Sequence, residues 1–288
     1  MSDLFDLYRY EFFRNGVIVA TLAGALCGLV GVYVVLRNMS YIGHGMSHAI
    51  FGGFAASALL GVNYFLAVPI AVVALGLLGV VLQGLMLRPV MQQNLTSLMI
   101  VTLGFGYVFQ GGASRLFGGD PERFVSPLQS AEIRFGEIWF TWQDVLTLVG
   151  TLVLFGVLWL VLNRTRVGAI VRSVAEDPKL AQLFGINAVL VYIGVFVFEC
   201  AAVALGAGLV APRSPILTSM GFDEVILTFV VVVLGGIGSV TGSLVAGFGL
   251  GLFTALFGAL VSSAYTTAAA FFVLLAFLVL RPRGLAAR

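Results

Sequence analysis

Apolar runs of about twenty residues recur along almost the whole chain, and no other feature constrains its fold as tightly. They fall near 16–36, 41–60, 64–87, 95–117, 143–162, 189–211, 223–240, 242–262 and 264–280. About 20 residues of helix cover the ~30 Å hydrocarbon core of a bilayer. Lipid offers no partner to backbone N–H and C=O groups, so a run that enters it must close its own hydrogen bonds as a helix. The chain is 60% hydrophobic and 10% charged, against roughly a quarter charged in soluble domains. A water-soluble fold of 288 residues has too little interior to hide that much apolar surface. The expected fold is therefore all-α: a polytopic membrane bundle of about nine spans (eight to ten), with glycine-rich broken helices. The runs 41–60 and 223–240 are short and interrupted by polar residues or glycine, a pattern that also fits re-entrant segments.

Two cysteines, Cys27 and Cys200, both lie inside apolar runs, which argues against a disulfide framework and a structural zinc site alike. No basic leader or small-residue cleavage site precedes the first run, so that run is expected to stay uncleaved. Residues 1–15 alternate Leu4, Phe5, Leu7, Tyr8, Phe12 and Phe13 with Asp3, Asp6, Arg9 and Glu11. This reads as an interfacial helix lying on the membrane. The other reading has it dip into the membrane and change the parity of the spans. Residues 16–288 then form a single transmembrane domain.

Between the fifth and sixth runs lies a polar, base-rich loop, 163–188. Its second half carries the signals of one short helix. Asp177 suits the N-cap, Pro178 the first helical position, and Gly185 the left-handed residue that ends it. Leu180, Leu183 and Phe184 recur at helical spacing and make a small apolar face. A multi-span protein that shows such a helix to the cytosol offers a partner a handle. If this loop is cytoplasmic, alternation puts Arg37, Arg88, Arg164, Arg166, Arg172, Lys179, Arg281, Arg283 and Arg288 inside. Arg9, Arg14, Arg115, Arg123, Arg134 and Arg213 then lie outside. Lys and Arg favour cytoplasmic loops, so this bias places the C-terminus in the cytosol.

Glycine clusters at Gly235, Gly236, Gly238 and Gly242, and Gly247 and Gly251 make a G-x-x-x-G that permits close helix approach. So many glycines weaken a plain helix, so 235–242 is expected to have irregular backbone and to serve as a gating element. Polar side chains inside apolar runs are few. His44 and His48 stand four apart with Met46 between them, about 5–6 Å between Cβ atoms if helical. That spacing suits a metal, but two histidines fall short of the three or four ligands a site needs; backbone carbonyls or water are the ordinary partners. Glu199 lies deep in the sixth run, where an acid is costly and faces the bundle interior or a water-filled cavity. It is expected to be protonated or paired with His44, His48 or Arg213. Ser47, Thr102, Gln110 and Thr228 complete the candidate solute path with His44, His48 and Glu199. No Walker A loop is present, and the only lysine, Lys179, follows Glu-Asp-Pro. Any ATP that drives this chain, with its magnesium, must bind another polypeptide. No catalytic triad, cofactor site or nucleic-acid surface is evident.

Four stretches carry a family resemblance. V-A-E-D-P-K-L-A-Q-L-F-G-I-N (174–187) resembles the cytoplasmic coupling segment of branched-chain amino-acid ABC importer permeases. V-V-V-V-L-G-G-I-G-S-V-T-G (230–242) is similar to that family's glycine-rich signature, L-V-L-R-P-R-G-L (278–285) to its ending, and residues 101–121 to its middle segment. The resemblance implies a permease subunit of the inner membrane that moves branched-chain or other apolar amino acids by ATP-driven alternating access. It implies cytosolic ABC ATPases, a second permease (homologous or identical) and an extracytoplasmic solute-binding protein as partners. Glu176, Asp177, Pro178, Leu180, Ala181, Leu183, Phe184, Gly185 and Ile186 would make the ATPase contact. The early segment I-G-H-G-M-S-H-A (42–49) resembles instead the first spans of manganese/zinc ABC permeases. That alternative would give His44, His48 and Glu199 to a metal cargo. An ATP-independent secondary transporter is the remaining class.

Overall fold

The computed structural model describes residues 17, 61–84, 95–118, 124–135, 138–213, 220–236, 239–281 and 285. Its helices are α1 (Tyr64–Leu82), α2 (Leu95–Phe117), α3 (Trp142–Arg164), α4 (Arg166–Glu176), α5 (Pro178–Leu183), α6 (Ala188–Val210), α7 (Met220–Gly235), α8 (Val240–Phe257) and α9 (Thr266–Leu280). One hairpin, β1 (Glu132–Phe135) with β2 (Ile138–Thr141), precedes α3. Among the described residues, four stretches are long and apolar enough to cross a bilayer: Tyr64–Leu82, Trp142–Arg164, Ala188–Val210 and Thr241–Leu280. The last holds α8 and α9, joined by a turn at Ser262 in extended backbone. The runs 16–36 and 41–60 and the interfacial segment 1–15 lie outside the described residues, Val17 apart.

Helices α1, α3, α6 and α8 start where a side chain takes free N–H groups of the first turn. Asn63 accepts from Phe65 N at 3.2 Å, and Asn187 accepts from Val189 N and Leu190 N at 3.1 and 3.3 Å. Thr141 and Asp144 form a reciprocal capping box at the head of α3, with Thr141 N donating to Asp144 Oδ2 at 2.9 Å. Thr141 is also the last residue of β2, so the hairpin feeds α3 without a linker.

α6 is the central element. It packs most extensively against α1, and also against α3 and α4. Small residues permit this: Ala67 and Ala71 of α1 share a buried cluster with Phe196, Cys200 and Ala204 of α6. On α6's other side Val195 and Ala202 meet Leu158 and Leu162 of α3. α7, α8 and α9 build a second core from Val230, Leu234, Ala246, Leu250, Ala270 and Leu274. Outward faces stay apolar: Leu77 is 63% exposed, Phe272 72% and Val279 83%. Water would penalise such surfaces, whereas a bilayer accepts them.

Two expectations need correction. The first half of 163–188 is not loop but helix α4. Thr165 caps it by accepting from Gly168 N at 3.3 Å, and Val167, Ile170, Val171 and Val174 give it an apolar face at helical spacing. The polar stretch 118–142 also contains the hairpin, in which Ile133 pairs with Phe140 and Arg134 with Trp139. Alternation across so few residues is too short a signal to separate a hairpin from a loop.

Candidate functional site

The segment expected to contact an ATPase has its short helix capped at Asp177. Its carboxylate accepts from Lys179 N at 2.9 Å and Leu180 N at 3.0 Å, and Pro178 occupies the first position of α5, where no N–H is needed. The helix stops at Gly185, whose φ of +79° lies in the left-handed region. There Gly185 N donates to Gln182 O at 3.0 Å and Ile186 N to Ala181 O at 3.2 Å, the two bonds that close a Schellman turn. Ala181 turns inward, 3% exposed, and packs with Val174, Ala188 and Ile186. Leu183 and Phe184 turn outward, 83% and 79% exposed, beside the exposed Leu180. Glu176 and Asp177 are exposed next to them. The result is an apolar knob on a rigid, doubly capped turn, fixed through Ala181 to the foot of α6.

The glycine cluster forms the corner between α7 and α8. α7 ends at Gly235, and Gly236 has φ +98°. A Cβ on Gly235 would lie 2.4 Å from Ser243 N, so only glycine lets the end of α7 touch the start of α8. Ser239 accepts from Gly242 N at 3.0 Å and starts α8. Leu285 N donates to Leu234 O at 2.9 Å, which ties the tail to the same corner. Gly242 is buried in the first turn of α8, and Gly238 lies outside the described residues.

The candidate path residues are less gathered. His44, Ser47 and His48 lie outside the described residues. Thr102 and the half-buried Gln110 belong to α2, the half-buried Thr228 to α7, and Glu199, 5% exposed, to the middle of α6. Three separate helices thus carry them.

A polar lattice that the sequence reading overlooked lies at the opposite end of α3 and α6 from the knob. Gln143 Nε2 donates to Tyr64 OH at 3.1 Å and to Leu209 O at 2.9 Å. Tyr64 OH donates to Gly208 O at 3.2 Å. Thr147 Oγ1 lies 2.8 Å from Gln143 O and 2.9 Å from Leu209 O and can donate to either. Gln129, whose side chain belongs to a capping box with Ser126, donates to Pro212 O. The last carbonyls of a helix have no intrahelical donor; those of α6 obtain donors from α1 and α3, and the turn that follows α6 obtains one from Gln129. Gln143, Thr147 and Thr151 recur every four residues on α3 and are all buried. That polar stripe in an apolar run was the available signal.

The chain resembles known proteins along most of its length. Residues 38–280 match the family described as branched-chain amino acid transport system, permease component. BraD of Pseudomonas aeruginosa, a high-affinity branched-chain amino acid transport system permease protein, is 28% identical, with 98% of this chain and 97% of BraD covered. LivH of Methanocaldococcus jannaschii, a probable branched-chain amino acid transport permease protein, is 28% identical over 91% of this chain and 85% of its own. ScaB of Streptococcus pneumoniae, a manganese import system permease protein, is 40% identical, but over 26% of each chain. Among solved structures, PsaBC from Streptococcus pneumoniae in complex with Fab superposes with a TM-score of 0.60 at 17% identity, covering 98% of this chain and 96% of that one. This last likeness concerns the fold alone.

Proposed function

The chain belongs to the branched-chain amino acid transport permease family, and from that premise we propose that it is the membrane subunit of an ABC importer for branched-chain or similar apolar amino acids. The observation that carries this reading is the capped knob. Leu180, Leu183 and Phe184 expose apolar area on a turn held rigid by Asp177 and Gly185. Solvent alone gives such a face no stabilisation, and a groove on a cytosolic ATPase would bury it. The ATPases bind nucleotide and magnesium, and this chain binds neither. A second permease completes the path, and a solute-binding protein delivers cargo at the other face. Force on the knob passes through Ala181 into α6, and the helices tilt to move a midplane site between outward and inward access.

Glu176 and Asp177 orient the docking, Glu199 faces the cavity, and the Gly235–Gly236 corner lets α7 and α8 swing. The C-terminus lies in the cytosol with the knob. Reconstitution of the permease with its ATPases and binding protein tests this reading. Leucine uptake should be present in the native assembly and abolished by Leu183→Asp or Gly185→Arg, with membrane insertion unchanged. Undiminished uptake in both variants would overturn it.

The local likeness to ScaB supports one rival, a manganese or zinc cargo held by His44, His48 and Glu199. Thermal stabilisation of the purified permease by manganese would favour it; indifference to manganese and to chelators, together with leucine uptake, would remove it.

A further inference from the structure

We propose that Gln143 and Tyr64 are positioning residues of a latch that holds the far ends of α1, α3 and α6 together and must open in each transport cycle. The inference rests on the importer reading. Tyr64 begins α1, Gln143 lies in the first turn of α3, and Gly208 and Leu209 lie in the last turn of α6. Two side chains therefore fasten three helix ends through hydrogen bonds at 2.9, 3.1 and 3.2 Å. Gln143 is fully buried, and Tyr64 is 4% exposed.

A purely structural joint would satisfy every polar atom it buries, because a buried acceptor without a donor is costly. Here Gln143 Oε1 is buried and receives no hydrogen bond among the described residues. Opening the joint would hydrate that oxygen along with the carbonyls of Gly208 and Leu209. Water can replace each hydrogen bond that is lost, so closed and open arrangements lie close in free energy. An apolar contact of the same area would resist opening, since separation would wet it. Polarity at this place suits a contact that must break and re-form.

Its position agrees with that use. α6 carries the knob's anchor beside Ala188 at one end and the two accepting carbonyls at the other. No flexible joint intervenes, because α6 is a continuous helix of 23 residues. Movement at the knob reaches the latch directly.

The experiment uses the full permease with its ATPases in membranes, with Cys27 and Cys200 replaced by alanine. Thr151, fully buried two turns below Gln143 on α3, is changed to Cys as a reporter. A hydrophilic thiol reagent should label Thr151→Cys at least about fivefold faster when Gln143→Ala removes the latch, the factor that one ordinary hydrogen bond is worth, since Gln143 donates two. Tyr64→Phe should act alike. The double variant should label at about the rate of either single one, and well short of the product of the two effects, because both remove parts of one joint. ATP hydrolysis without solute should rise and uptake per ATP should fall. If both single variants insert normally yet label at the native rate, the latch is refuted. If Gln143→Ala fails to insert, Tyr64→Phe alone decides. An assembly with no ATPase bound would instead count against the importer reading and leave the labelling comparison valid.

Discussion

Asp177 and Gly185 shape the coupling turn by different means, and their substitutions should differ accordingly. Asp177→Ala deletes the acceptor for two N–H groups, a loss of about 1 kcal/mol for an N-cap. The knob would fray without disappearing, so we expect uptake to fall severalfold while the ATPase still co-purifies. Gly185→Arg forces a side chain into φ +79° and should abolish coupling outright. At the α7–α8 corner, Gly235→Val would drive a side chain into the backbone of Ser243. The expected outcome is loss of folded protein, read as protease-sensitive permease in membranes, whereas Ser130→Ala on an exposed turn should leave it resistant. These residues were legible in the sequence because caps and left-handed glycines act locally, within a few positions. Gln143 and Tyr64 were not, since their partners lie 66 and 79 residues away from Gln143 along the chain.

At the level of elements, packing explains what the chain pattern hid. Arg166, Arg172 and Glu176 punctuate the 11 residues of α4 and blur its helical pattern in the sequence. Val171 and Val174 nevertheless pack toward α3 and α6 while Val167 and Ile170 stay exposed, and this burial outweighs a modest helix propensity. The run 223–240 suits a span or a re-entrant segment; helix α7 covers its first part and ends at Gly235, where the chain meets the backbone of α8. Around Gly79 and Cys200, away from the Tyr64 end, α1 and α6 fit closely enough to stay together while that end opens. A Cβ on Gly79 would lie 3.5 Å from Cys200 Cβ, within the separation a disulfide requires. Gly79→Cys should therefore cross-link to the native Cys200 under oxidation, and uptake should persist in the cross-linked protein. Loss of uptake that a reductant restores would show that these two helices slide during transport.

For the whole molecule, the knob and the polar lattice define two opposite ends. α3 runs from the lattice at Trp142 to Arg164 beside α4, and α6 returns from Ala188 beside α5 to Val210. Arg164 lies over the Trp159 ring at 5.9 Å, as arginine and tryptophan do at a membrane surface. Cysteines placed at Leu183 and at Ser130 should accordingly react with an impermeant reagent from opposite faces, Leu183→Cys from the cytosol. Labelling of both from one face would show that α3 and α6 do not cross. The bundle class was legible because lipid demands long apolar helices; the grouping of α7 with α8 and α9 was not, because an apolar helix carries little to mark which face meets protein and which meets lipid.

One geometric result concerns α6 as a rod. With about 1.5 Å of rise per residue, its 23 residues reach roughly 35 Å. A tilt of about 5° about the knob end carries the other tip some 3 Å sideways, on the order of a whole hydrogen-bond length. So small a swing cannot leave the carbonyls of Gly208 and Leu209 half engaged: the contact is either made or gone. In the importer reading proposed above, a gradual push at the knob end of α6 would thereby become a two-position answer at the distant tip.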